Sequence, residues 1–263
     1  MAPATSRQTH ARGPGRMDRL LELTYRAERT HFWFRGFRRF VTPWLAQAAA
    51  GRTDLRLLDC GCGTGANLEL LAHHGRAFGF DLTARGLEFA RSHGVDRVVR
   101  ASIGAIPFPD ASFDVVTSFD VLYGLPDEVE HAAAREMARV LRPGGALLVT
   151  VAAFESLRGG HGTFSNEVRR YTTDSLSRLI GGAGFELVRV SYTHATLFPI
   201  LAVVRGWQRW RGGGVAAPSE GDMAVPAVPV NAGLSAALAV ESALLRRVDL
   251  PFGSTVMALA RKR

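Results

Sequence analysis

Cysteine is scarce. The 263-residue chain has two, Cys60 and Cys62, one residue apart. A pair that close excludes a disulfide framework, and no His or Cys stands at a spacing that would complete a structural zinc site, so no metal is expected. Two small thiols in a tight loop suit a reducing compartment, which points to the cytoplasm. Lysine is nearly absent: among 32 basic residues only Lys262 is Lys, a bias read as that of a G- and C-rich genome. Long apolar runs are also missing. The longest candidate, Ala195 to Val204, is about half of the roughly 20 residues that cross a bilayer and contains Pro199. The N-terminus carries arginines without the apolar stretch of a secretory signal. Acids are outnumbered, giving a formal charge of +8, but the excess sits at the chain ends. Residues 1–40 hold nine Arg against three acids and the last three residues are all basic, whereas residues 41–260 carry 20 basic and 21 acidic groups. A body that close to neutral argues against a nucleic-acid partner.

What is present is a globular composition, 47% hydrophobic and 21% charged, with ample apolar surface to offset chain entropy. Residues 1–16 are rich in Pro, Gly, Ala, Ser and Arg and read as a disordered tail, and residues 17–263 as a single domain. Residues 17–50 are helical in pattern and include the aromatic run His31-Phe32-Trp33-Phe34, Phe37, Phe40 and Trp44. Strands are expected over 55–59, 77–81, 96–100, 113–119, 146–152 and 185–192, each but the third followed by a helical stretch, with Pro143-Gly144-Gly145 closing the helix before the fifth. This alternation implies a parallel sheet with helices on both faces. It then stops. An apolar helix over 195–210, a Gly- and Pro-rich loop over 212–229 and an amphipathic helix over 234–248 precede a seventh strand at 253–261. The 193–250 stretch is thus a helical insertion between strands six and seven.

The chemistry is densest at Asp59-Cys60-Gly61-Cys62-Gly63-Thr64-Gly65. A glycine turn from strand to helix lets a ligand approach the backbone closely. Asp81, 20 residues after Gly61 at the end of the next strand, can accept both hydroxyls of a ribose. Gly61-x-Gly63-x-x-Ala66 with Asp81 also satisfies a dinucleotide fingerprint. Asp59 discriminates. A pyrophosphate at a helix N-terminus wants bare N–H groups and no adjacent anion, whereas the ammonium of an amino-acid moiety wants a carboxylate. A ligand with both a ribose and an ammonium is S-adenosylmethionine.

On these residues the chain resembles the class I S-adenosylmethionine-dependent methyltransferases, of the type 11-like group. Asp59, Gly61, Gly63 and Gly65 match that family's first motif, Asp81 its second acidic residue, Ile106 to Val116 its segment around strand four, and Arg139 to Gly145 the approach to strand five. The resemblance covers roughly residues 30–192. It implies a Rossmann-like, doubly wound, seven-stranded and mostly parallel sheet. It also implies a bed for the cofactor made by Asp59, the three glycines, Asp81, Leu82, Ser102, Ile103 and Phe119, with S-adenosylhomocysteine as product. Gly124 departs from the His of many relatives.

For the acceptor, the run from Phe154 to Thr172 lies after strand five, at the ligand-binding edge of an open α/β sheet. It resembles a subgroup with Ser-x-His-Asp and His-x-Arg-Arg-Tyr. His161, Arg169, Arg170 and Tyr171 match, while Gly162 and Glu167 replace an Asp and a His. His161, Tyr123 and Tyr171 are the candidate catalytic groups, and Asp120 borders the methyl site beside Tyr123. The aromatic run reads as a lid that brings Trp33 to the cofactor, or as a core helix. The 195–210 helix is expected to pack on the domain as an acceptor-side cap, contact with a membrane surface being the alternative. The expected function is methyl transfer to a small-molecule acceptor such as a specialised metabolite, a glycan or a hydrophobic, lipid-linked precursor. A non-methylating reaction on the same fold and cofactor, and a nicotinamide-dependent oxidoreductase, are the rival readings.

Overall fold

Strands rich in Leu, Val, Phe and Ala, with no polar face, must be covered on both sides. In the computed structural model, which describes residues 14–158, 166–210 and 224–263, helices cover them. The strands are β1 (Leu55–Cys60), β2 (Gly75–Asp81), β3 (Val98–Arg100), β4 (Phe113–Phe119), β5 (Leu141–Ala152), β6 (Phe185–Thr193) and β7 (Thr255–Lys262). They form one seven-stranded sheet in the order β3-β2-β1-β4-β5-β7-β6. Pairings from β3 to β5 are parallel, and β7 runs antiparallel to both β5 and β6. Strand order reverses between β1 and β4, where ligands bind in such sheets.

Adjacent residues in a strand point to opposite faces, and each face has its own core. Leu57, Val115, Leu148 and Leu259 pack beneath α2 (Phe32–Ala49), against Phe37, Phe40, Trp44 and Leu45. Their neighbours Leu58, Val116, Leu147 and Ala258 pack with Met137 of α5 (Asp127–Val140) and with Leu176 and Ile180 of α6 (Thr173–Gly182). Helices α3 (Ala66–Ala72) and α4 (Ala84–Ser92) follow β1 and β2.

Several boundaries differ from the expectation. The first helix, α1 (Pro14–Ala27), starts inside the segment read as a tail, and a break at residues 28–31 separates it from α2. His31 makes that break: its ring accepts the N–H of Trp33 and caps α2. Pro143-Gly144-Gly145 does not follow a helix but lies within β5, where the register against β4 skips from the Phe113–Leu141 pair to the Val115–Ala146 pair.

The insertion holds α7 (Phe198–Trp210) and α8 (Val228–Leu245). Helix α8 corrects the reading of apolar runs. Its 18 residues, with mean hydropathy 1.5, make it long and apolar enough to cross a membrane by length and composition alone. The helix expected over 234–248 starts earlier, at Val228, since a proline in the first turn costs a helix nothing. In this fold α8 lies along α2. Leu238 fills a notch that only a glycine leaves, since a Cβ on Gly36 would stand 2.4 Å from its Cδ1. Asn231 accepts the N–H of Phe32 and donates to the Thr30 carbonyl, Arg39 donates to the Ser235 carbonyl, and Ser242 donates to that of Arg39. Glu241 accepts the N–H groups of Ala195 and Thr196 and so fixes the approach to α7.

Leu238 is wholly buried in this seam. Leu238→Ala is therefore expected to lower the unfolding free energy by about 2–5 kcal/mol, read as a shift of the urea midpoint at unchanged slope.

Candidate cofactor and acceptor site

The glycine turn after β1 is built for close approach. Gly61, Gly63 and Gly65 have φ of 80°, 50° and 80°, values at which a Cβ is strained. Space is short as well. A Cβ on Gly61 would stand 2.5 Å from Val121 Cγ2, and one on Gly65 would stand 2.7 Å from the Cβ of Ala90 on α4. The turn therefore sits directly between the end of β4 and helix α4. Its N–H groups at Gly61 and Cys62 are both held by the Phe80 carbonyl, which locks it to β2.

Two carboxylates flank it. Asp59 is buried inside β1, where one oxygen accepts the Thr117 hydroxyl at 2.7 Å. Loss of water pushes its pKa up to about 7, the Thr117 hydrogen bond opposes the rise, and the nearby Asp81 adds to it. Asp81 ends β2. Its Oδ2 accepts the Gly63 N–H at 2.9 Å, and its Oδ1 accepts the N–H and hydroxyl of Thr83.

Helix α1, in the first part of the stretch read as helical, covers the turn. Leu21 comes within 3.5 Å of where a Gly63 side chain would begin. At the end of α1 the buried Glu28 accepts the Thr64 hydroxyl, with His93 Nε2 3.6 Å from its other oxygen. Tyr25 stacks on Phe89 and His93. Burial raises the Glu28 pKa, with Thr64, His93 and two arginines opposing. The signal was in the sequence, an isolated Glu28 in an amphipathic stretch, but its partners lie 36 and 65 residues away.

Further along the same edge, β4 and β6 hand over at once, and β5 two residues later, to a residue in the left-handed region: Asp120 (φ 58°), Phe154 (φ 54°) and His194 (φ 60°). These are half of the six non-glycine residues with positive φ among those described. Such backbone costs about 1–3 kcal/mol each and gathers at ligand sites. Asp120 accepts the Thr150 hydroxyl at 3.3 Å. Burial pushes its pKa up to about 6, with that hydroxyl and the Arg170 charge opposing. Phe154 stacks on Tyr192. His194 is buried, its Nδ1 is 3.1 Å from the Thr193 hydroxyl, its Nε2 has no partner among the described residues, and burial lowers its pKa to about 3.

The aromatic helix supplies the roof. Trp33 stacks on His194 with ring centroids 4.1 Å apart, Phe40 meets the same ring edge-on, and Phe37 meets Phe119 edge-on. Trp33 thus belongs beside the end of β6. That is four strand spacings, or roughly 19 Å, from β1, and it corrects the placement of Trp33 in the cofactor bed. Tyr171 is corrected too. Its buried hydroxyl donates to Glu130 of α5, Arg169 pairs with Glu130 and Asp127, and Arg170 pairs with Glu167, so this trio fastens the start of α6. Tyr123 lies in a short turn after β4, where its carbonyl accepts the N–H groups of Val168 and Arg169. Ile103 and Phe119 are buried, whereas Leu82 and Ser102 are exposed beside Asp81 and β3. His161 lies outside the described residues.

Strand order, glycine turn and the two strand-end carboxylates together define a class I methyltransferase fold. Residues 58–149 match the family model described as a methyltransferase domain. A curated relative from Mycolicibacterium smegmatis, named a probable S-adenosylmethionine-dependent methyltransferase, is 33% identical over 161 residues, covering 60% of each chain. The 27-O-demethylrifamycin SV methyltransferase of Amycolatopsis mediterranei is 38% identical over 116 residues, covering 41% of this chain and 42% of its own. The chain spans about three fifths of the length of the first curated relatives it matches. Among solved structures, the cyclase SpnF superposes with a TM-score of 0.54 at 22% identity, over 85% of this chain and 80% of its own. The chain thus has the class I methyltransferase fold, and over residues 58–149 its sequence is similar to a methyltransferase domain.

Asp59 and His194 oppose each other in pH dependence. Asp59 is raised from 3.8, so between about 4 and about 7 the folded chain holds a proton the unfolded chain has lost, and its contribution to stability falls as pH rises through that window. His194 is lowered from 6.5, so between about 3 and 6.5 only the unfolded chain takes the proton, and stability falls as pH falls. Each slope is at most about 1.4 kcal/mol per pH unit. Thermal melts at pH 5 and pH 8 should show Asp59→Asn stabilising the ligand-free protein chiefly at pH 8, and His194→Phe reducing the loss at pH 5. Equal effects at both pH values would contradict these assignments.

Proposed function

We propose that this protein transfers the methyl group of S-adenosylmethionine to a small-molecule acceptor carrying a hydroxyl. The observation that carries the reading is the pair of carboxylates at the ends of adjacent strands, on either side of a turn that excludes side chains. The donor set fits that cofactor. Asp59, dehydrated and bonded to one hydroxyl, is suited to an ammonium that would hold it ionised. Asp81 has lone pairs to spare for vicinal hydroxyls, and Ile103 with Leu82 and Ser102 offers a mixed surface for a base. A pyrophosphate would meet the Asp59 charge instead, which disfavours a nicotinamide cofactor.

When bound, S-adenosylmethionine supplies an electrophilic methyl group on a positively charged sulfur. The chain has to align the acceptor with it and keep water out. Phe37 and Phe119 would exclude water at the end of β4. Asp120 would accept the proton of the attacking hydroxyl, poised by Thr150 and by the charge of Arg170, with Tyr123 beside it. Helix α1 acts as the lid and α7 with α8 as the acceptor-side cap. That a relative is named as a 27-O-demethyl methyltransferase supports an oxygen acceptor. That a cyclase shares the fold keeps a non-methylating reaction as the second reading.

Calorimetric titration with S-adenosylhomocysteine tests the first half. Micromolar binding is expected, weakened at least about tenfold by Asp81→Ala through the lost charge-assisted hydrogen bonds. No binding to folded protein would refute it. Once an acceptor is found, kcat should fall as pH drops through about 6. Asp120→Asn should remove that limb and lower kcat by about 10²–10⁴-fold. A product with an unchanged methyl count would favour the second reading.

A further inference from the structure

Helix α7 does not pack as its apolar sequence implied. Leu197, Phe198 and Leu201 anchor one side of it: Leu197 is buried, Leu201 rests on the core beneath α2, and the Phe198 ring meets Phe154 and Phe252. The opposite side is largely exposed among the described residues. Ile200 is 59% exposed, Val203 72%, Val204 41%, Trp207 51% and Trp210 83%. At 100° per residue these five positions fall within one arc of about 120°, a single stripe along the helix. The expectation that this helix packs on the domain is thereby corrected for its larger apolar half.

An open stripe of this kind needs an occupant. Charge and residue type narrow the choice. From His194 to Trp210 the sequence holds Arg205 and Arg209 and no carboxylate, although the body as a whole is near neutral. Two tryptophans lie at the far end of the stripe, the residue type that partitions to the boundary between headgroups and acyl chains. An amphipathic helix with branched aliphatics and Trp on one side and only arginine as charge matches the anionic face of a bilayer.

We infer that α7 is an interfacial helix that docks this protein on an anionic membrane surface. The docked edge is the one at which the parallel strands end. Helix α7 begins five residues after β6 ends, and its anchors Phe154 and Phe252 stand at that same edge, where β5 ends and the antiparallel β7 begins. Docking therefore turns the ends of β4, β5 and β6 toward the lipid. This inference stands independently of the methyl-transfer reading, because it concerns a surface outside the glycine turn.

The test uses the full chain with vesicles of phosphatidylcholine alone and of phosphatidylcholine mixed with phosphatidylglycerol. Cosedimentation with the mixed vesicles is expected, with a blue shift of tryptophan emission and weakening at high salt. The double variant Val203→Ser, Trp210→Ser should bind more than about tenfold less tightly while its thermal midpoint stays that of the wild type. Wild-type protein left in the supernatant would overturn the inference. So would a double variant that binds as tightly as the wild type, since the basic chain ends would then carry the binding. A wild-type dimer in light scattering that the double variant converts to monomer would assign the stripe to a second copy of the chain and overturn it too.

Discussion

Ionising Asp59 inside the sheet, with Thr117 as its described partner, is costly, and the surrounding chain is arranged so that a cation arriving from the carboxyl edge would relieve that cost. The turn that follows is kept free of side chains, α4 closes on it from one side and Val121 from the other, and α1 rests against it. Each of these contacts presses toward the same small volume. A carboxylate at this place destabilises the empty protein near neutral pH, so the fold gives up some stability there in exchange for a site with unsatisfied charge. The neighbouring Asp81 differs: every oxygen already has a backbone or hydroxyl donor, and it is ready to exchange one of them.

The remainder of the edge follows a related logic. Asp120, Phe154 and His194 hold left-handed backbone at the ends of three strands, where the sheet gives way to the loops. Conformations of this kind persist only when the packing on either side over-determines them. The roof formed by Trp33, Phe37 and Phe40 supplies that packing over β4 and β6, and Tyr192 supplies it beneath Phe154.

Local signals were sufficient for the sheet. Leu55 to Asp59, Phe113 to Phe119 and the glycines between strand and helix are written in consecutive residues, and the sheet follows from their alternation. Asp59 and Asp81 were legible for the same reason, since each stands at or next to the last residue of a strand. Trp33 was misplaced because a ring in a helix can serve either flank, and only the position of His194, 161 residues later, decides which. Tyr171 looked reactive beside two arginines until the acids of α5 and Glu167 neutralised them. Helix α8 was legible from Leu234 onward, and only its start was obscured by Pro229 and Gly233, whose effect depends on where in a helix they fall. The outward stripe of α7 could not be seen in composition, because a buried and an exposed apolar helix have the same letters.

The seam between α2 and α8 has a consequence for how the protein is made. Residues 32–49 carry six aromatic residues, most of them packed on the sheet and on His194, yet the groups that latch the other side of the helix, Asn231, Ser235, Leu238 and Ser242, are about two hundred residues downstream. On the ribosome, α2 emerges early and is among the last elements to find all of its partners. For most of synthesis an apolar helix waits without its partner, exposed to association with other nascent chains. The domain is thus fastened by a clasp between two helices about two hundred residues apart in sequence.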